Sequence, residues 1–177
     1  MSIPLIGRPS AGEHDSAFDR YVARVPEIDI LSALGRQKEE FHQFISAIGE
    51  QRAGYRYAEG KWSIRQVVGH IIDSERVFGY RALCVARGEQ GALPGFDENQ
   101  WAAGAGIDLV TLSDLLDEFR SLRESHQLMF SHLRPEAWLR SGTANGFPIT
   151  ARALAYIMAG HARHHVAVLT DRYLVSP

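Results

Sequence analysis

Cysteine is nearly absent. Cys84 is the only one in 177 residues, which excludes an intrachain disulfide. A chain of this length buries enough apolar surface to fold without such staples. Lysine occurs only at Lys38 and Lys61, and no Lys/Arg-rich run is present. With 19 basic and 21 acidic residues the formal charge is −2, so the electrostatic footprint of a nucleic-acid binder is missing. No stretch approaches the roughly 18–20 apolar residues of a membrane span. The start, Met1 to Pro9, lacks the basic and long apolar regions of a secretory signal. The expectation is a cytoplasmic protein with neither nucleic acid nor membrane as partner.

Strand-like alternation is also lacking, whereas helical periodicity is plain in four segments. The first runs from about Ile30 to Ile48, with Leu31, Leu34, Phe41, Phe44, Ile45 and Ile48 on one stripe. The second runs from about Ile64 to Arg87 and opens on the capping box Ser63-Ile-Arg-Gln66. Its stripe is Ile64, Val67, Ile71, Ser74 and Phe78, with His70, Val77 and Arg81 on the shoulder. The third runs from about Leu112 to Leu133 behind Thr111. Its inward face is Leu112, Leu115, Leu116, Phe119, Leu122, His126, Met129 and Leu133. The fourth runs from about Ala151 to Leu174 behind Thr150, with Leu154, Ile157, Met158, His161, His165, Val168 and Leu169 inward.

These segments define an all-α fold in one domain, residues 30–177, preceded by an arm, residues 1–29, with Pro4, Pro9 and Pro26. The arm is expected to lie over the bundle or to be partly disordered. The long irregular link Gly88–Gly106 is of the kind that covers a site or crosses a bundle. The link Ser141–Pro148 is expected to form a small turn.

Chemistry concentrates in His161-Ala-Arg-His-His165. Residues four apart on a helix lie roughly 5–6 Å from one another, close enough for His161 and His165 to hold one metal ion. Both interrupt an apolar stripe and so point into the bundle. His70, on the second helix, can supply a third nitrogen. Three protein ligands leave one coordination position open for binding or activating another molecule. The pattern is not His-Glu-x-x-His of metalloproteases, because Ala162 stands where their general base would be. A solvated histidine-rich turn is the competing reading.

Asp73 is the nearest candidate proton acceptor; for both Asp73 and Glu75 the plainer reading is exposed charge or a salt bridge. His126 is expected to play a structural part at a bundle end, with a fourth ligand as the alternative. His164 should point away from the site. His14, His42 and His132 have no supporting pattern. Cys84 reads as a small buried residue, and Trp62, Trp101 and Trp138 as packing caps.

The stretches Lys61-Trp62-Ser63-Ile64, Val67 to Glu75, Leu93-Pro94-Gly95-Phe96-Asp97 and Ala153 to His165 together resemble the DinB-like superfamily of metal-dependent four-helix proteins, related to YfiT-type and mycothiol-dependent isomerase proteins. The resemblance spans roughly Ile30 to Leu174. It implies an antiparallel four-helix bundle with long crossovers, often a homodimer, and a three-histidine site at His70, His161 and His165. Ala162 departs from the glutamate that commonly follows the first histidine of the pair. Members with known chemistry use the metal to handle a low-molecular-weight thiol.

The leading expectation is an enzyme that binds one divalent metal ion (zinc, nickel or iron) and acts on a small-molecule substrate, as a thiol-dependent transferase or a hydrolase. The rivals are a non-catalytic metal-binding or stress-response module and a dimeric bundle with an empty site. An open position beside a polar pocket favours the enzyme; a fourth protein ligand favours the structural module.

Overall fold

A computed structural model of the chain describes residues 6–174. The first five residues of the expected arm lie outside it. Helices α1 (Asp19–Val22), α2 (Ile30–Ile48), α3 (Ile64–Arg87), α4 (Glu98–Gly104), α5 (Leu112–Ser131) and α6 (Pro135–Trp138) are followed by a hairpin, β1 (Ser141–Ala144) and β2 (Phe147–Thr150). Helix α7 (Ala151–Val168) then runs into a π-helical turn, Leu169–Tyr173. The four long helices start where side-chain oxygens can satisfy the first free N–H groups. Asp29, Ser63, Thr111 and Thr150 accept from the amides of Ser32, Gln66, Asp114 and Ala153. Gly88, at φ 86°, closes α3 in the left-handed conformation.

Helix α3 packs against α5 and α7, and so does α2, so α2 and α3 face each other diagonally across the bundle. The residue partners give the directions. Between α2 and α5, Gln37 meets Arg123 and Phe41 meets Phe119, numbers running oppositely, so these helices are antiparallel. Between α3 and α5, Arg76 meets Glu118 and Gly79 faces His126, numbers rising together. These two neighbours therefore run parallel within the bundle expected to be antiparallel, and the link between them is one of the long crossovers expected. A parallel successor must start where its predecessor started. The chain after α3 has to travel back along about 36 Å of helix, which is why the link before α5 is long. It runs down the flank of α3: Pro94 O accepts from Arg81, and Ile107 packs onto Gly69, where a Cβ would meet it at 3.0 Å.

Periodicity announced neither the short helices α1, α4 and α6 nor the hairpin. Asn145 (φ 52°) and Gly146 (φ 82°) both take positive φ, the turn that matches the twist of two antiparallel strands. With only four residues per strand, Asn-Gly was the sole strong signal. Leu93 N donates to Thr143 O and Asn145 N to Leu93 O, tying the hairpin to the α3–α5 link.

The arm is part of the core. Tyr21, Val22 and Val25 are buried with residues of α7. Gly160 makes this possible, because a Cβ there would stand 2.0 Å from the Tyr21 carbonyl oxygen. The apolar interior falls into two clusters, one around Leu34, Phe78, Phe130 and Leu154, the other around Phe41, Ile71, Phe119 and Leu169. Between them, at mid-height on each helix, sit Gln37, Glu75, Arg123, His126 and His161, all buried. The bundle thus has a polar waist.

Candidate metal centre

His70 enters the waist from the second turn of α3, and His161 and His165 from successive turns of the second half of α7. The two helices are antiparallel, which brings the early part of one beside the late part of the other. Nε2 of His161 lies 3.1 Å from Nε2 of His70 and 3.1 Å from Nε2 of His165. One ligand atom from each of the three lies within 4.8 Å of both others. Ligands 2.0–2.1 Å from a tetrahedral ion stand about 3.3 Å apart, so the spacing is that of a donor set. Hydrogen bonding alone serves it poorly. His161 Nε2 carries either one proton or one lone pair, and it faces two other ring nitrogens.

Aromatic rings fix the imidazoles. Trp62 packs on His70 at 4.8 Å between centroids, Tyr21 meets His161 edge-on at 5.3 Å, and Phe78 meets it at 5.5 Å. Trp62 is therefore more than the packing cap expected. Burial, reinforced by the charge of His164, pushes His70 down to about 4. Burial and the charges of His70, His164 and Arg20 bring His165 to about 3, and His161 is held well below its usual value. All three are neutral near pH 7, the form with a lone pair to give a metal.

The cluster opens into a cleft of about 410 Å³. One wall is a stripe of α3, His70, Ser74, Phe78 and Arg81; the link supplies Gly95, Phe96 and Glu98; the hairpin supplies Asn145; the arm supplies Phe18, Arg20 and Tyr21. His164 also lines it, edge-on to Tyr21 at 5.5 Å. This corrects the expectation that His164 turns away: three residues from His161, it shares the edge of the same helix face. It stands outside the three-nitrogen cluster.

Asp73 faces a neighbouring, mostly apolar cavity of about 320 Å³, which meets the cleft at Arg81, Gly95 and Phe96. Burial raises its pKa, with Arg76, 3.9 Å away, opposing. Glu75 is buried rather than exposed. It takes a bidentate ion pair from Arg123 at 2.6 and 2.8 Å, and its Oε1 lies 3.2 Å from His126 Nδ1. His126 is thereby placed in that network, away from the three-histidine cluster. Cys84 is partly buried against the core. The residues that sequence reading passed over are Tyr21, Arg81 and Asn145. Arg81 carried a signal: with His70, Ser74 and Phe78 it completes a helical stripe.

Fold and site together define a helical bundle with a cluster of three imidazoles that could hold a metal ion. The chain belongs to the DinB superfamily, whose sequence pattern matches residues 33–169. A protein of Bacillus licheniformis is 26% identical over 80% of this chain and 83% of its own length. One of Geobacillus kaustophilus is 25% identical over 77% and 78%. A third, from Oceanobacillus iheyensis, is 33% identical over a shorter match, 33% of this chain and 34% of that protein. All three carry the provisional name of metal-dependent hydrolase. The solved structure of YfiT from Bacillus subtilis, described in similarly provisional terms and as having an unusual four-helix bundle topology, superposes with a TM-score of 0.72. It covers 92% of this chain and 89% of that one at 19% identity, a likeness of fold. Among the described residues no helix is long and apolar enough to cross a membrane.

Proposed function

We propose that this protein is a metal-dependent enzyme that holds one divalent ion (zinc, nickel or iron) through Nε2 of His70, His161 and His165 and acts on a small molecule in the adjoining cleft. The observation that carries this is the convergence of three neutral ring nitrogens at 3.1 Å on the floor of an open cleft. A structural site would be closed by a fourth protein ligand; among the described residues the cluster has three members. An ion held there supplies a Lewis acid that lowers the pKa of a thiol or of water.

Of the two expected chemistries, thiol-dependent transfer fits this chain better. Among the described residues the one carboxylate lining the cleft is that of exposed Glu98, and Asp73 faces the other cavity. Among the described residues no carboxylate stands beside the cluster; a thiol bound there would pass its proton to solvent or to His164, which lines the cleft. A proton-accepting role for Asp73 requires a path past Arg81 and Phe96. Hydrolysis is the second reading, favoured by the names of the relatives. Trp62, Tyr21 and Phe78 fix the imidazoles and exclude water from their flanks. The same reading takes the protein as a cytoplasmic homodimer, which sedimentation checks.

Cobalt(II) loading tests the reading, because its visible spectrum reports coordination. Addition of 2-mercaptoethanol is expected to change the spectrum, with Cys84→Ala leaving the response intact. A spectrum indifferent to every thiol and anion would count against an open site.

A further inference from the structure

Two arginines of this bundle are buried, and they are treated differently. Arg123, 0% exposed, has Glu75 across a bidentate pair, Gln37 Oε1 at 2.7 Å and Leu34 O at 3.3 Å. Arg81, 5% exposed, donates to one carbonyl oxygen, that of Pro94. Among the described residues no carboxylate lies within ion-pair distance of it. A buried cation without a counter-charge is costly, and this one faces the cleft. The guanidinium fork has donors to spare and matches an oxyanion in shape.

Asn145 faces the same cleft from the hairpin tip. It is the only non-glycine at positive φ among the described residues. Its Oδ1 occupies the space that a Cβ on Gly95 would fill, 2.1 Å from that position. Its amide makes no hydrogen bond to the described protein, whereas its backbone is tied to Leu93. Asn145 is exposed, so its amide stands at the cleft with no protein partner and can exchange water for a ligand. Arg20, at the cleft mouth, adds a second guanidinium with no carboxylate partner there.

We propose that Arg81 and Asn145 form an oxyanion subsite that holds the carboxylate, or a chemically similar anionic group, of the substrate while its reacting end lies at the three histidines. This rests on reading the cleft as the substrate site. Arg81 is eleven residues beyond His70 on one stripe, a rise of about 16 Å between Cα atoms, which the long arginine side chain, leaning back towards the helix N-terminus, shortens between guanidinium and imidazole. The substrate it implies is therefore elongated, with its anion remote from its reacting end.

The test uses the cobalt(II)-loaded full chain, titrated with 6-mercaptohexanoate and with 6-mercapto-1-hexanol and followed by visible absorption. The two thiols differ only at the far end. Wild type is expected to bind the carboxylate about tenfold or more tightly, the worth of a charged hydrogen-bonded contact. Arg81→Met should abolish that preference while cobalt content and affinity for the alcohol hold. Asn145→Gly, which suits the positive φ and preserves the turn, should weaken it in part; this variant decides the matter if Arg81→Met does not fold. Equal affinities in wild type, or a preference untouched by either variant, overturns the subsite. Tighter binding of 6-mercaptohexyl phosphate than of the carboxylate supports it and assigns it to phosphate. If neither six-carbon thiol alters the spectrum, the thiol reading fails. The subsite is then judged by calorimetry on the metal-free chain: hexanoate binding that Arg81→Met removes supports it, and no hexanoate binding overturns it.

Discussion

The waist of the bundle holds two polar regions that are finished differently. On one side Glu75, Arg123, Gln37 and His126 answer one another, and Gln37 passes the chain of hydrogen bonds to Ala159 O at 2.7 Å. All four long helices contribute, charges are matched, and exposure is nearly nil. On the other side three imidazoles face each other with no acid among them, beside an open cleft. Burial is tolerable in the first region because every strong donor meets an acceptor. The second is left short of partners where a ligand can reach it. A satisfied polar network positions helices; an unsatisfied one waits for something to bind.

Breaking the network should cost the most. Arg123→Ala leaves the buried Glu75 carboxylate with only its His126 contact, so unfolding free energy is expected to fall by about 3–5 kcal/mol in chemical denaturation. Replacing both residues with apolar ones should restore much of that loss. His70→Ala, by contrast, should reduce metal content drastically while leaving the metal-free fold nearly as stable, and circular dichroism with denaturation will show which side fails.

Gly160→Ala comes next. The added methyl would strike the backbone of Tyr21 and push the arm from α7. A loss of about 1–3 kcal/mol is expected, with weaker metal binding because Tyr21 packs on His161.

Acid should act on the histidine cluster first and on ion pairs outside the waist at lower pH. Unfolded histidines take up protons near 6.5, whereas folded His70 and His165 hold out to about 4 and about 3. Between these values the unfolded state binds more protons, so metal-free stability is full above pH 6.5 and falls as pH drops towards 4. His70→Asn should flatten this slope. A second loss belongs to the carboxylates. Arg163 holds Glu27 at about 2; burial raises Glu13, but hydrogen bonds from Arg152, Ser10 and Thr150 outweigh it and bring it to about 2 as well. Their contribution is present above pH 4.5 and is lost as pH falls from there towards 2. Equilibrium denaturation from pH 7 down to about 2 checks both.

Chelation should give the smallest structural effect. The two apolar clusters do not depend on the cluster of histidines, so the melting temperature should drop while far-UV helicity is kept. Coil-like circular dichroism after chelation would show that the histidine side also holds the fold.

Much of this was legible in the sequence. Three helix starts were written in Ser63, Thr111 and Thr150, and the three histidines in their spacing and setting; the Asp29 cap of α2 emerged only in the fold. The parallel packing of α3 and α5 was not, because periodicity tells which face is buried and not which helix covers it. Arg123 was passed over for Leu122, although Phe119, Arg123, His126 and Phe130 make the more deeply buried stripe; residue type disguised its position. Glu75 was hidden the same way, since its burial depends on a partner 48 residues away. The arm gave no periodic signal at all, because what holds Tyr21 is a missing side chain at Gly160.

The central claim is that three particular imidazoles, and not a histidine-rich turn, form the ligand set. Metal analysis of the untagged protein beside His165→Ala and His164→Ala tests it most directly. The account expects about one divalent ion per wild-type chain, retention in His164→Ala, and affinity reduced by orders of magnitude in His165→Ala. Equal losses in both variants, or a wild-type chain that binds none of zinc, nickel or iron, would contradict it.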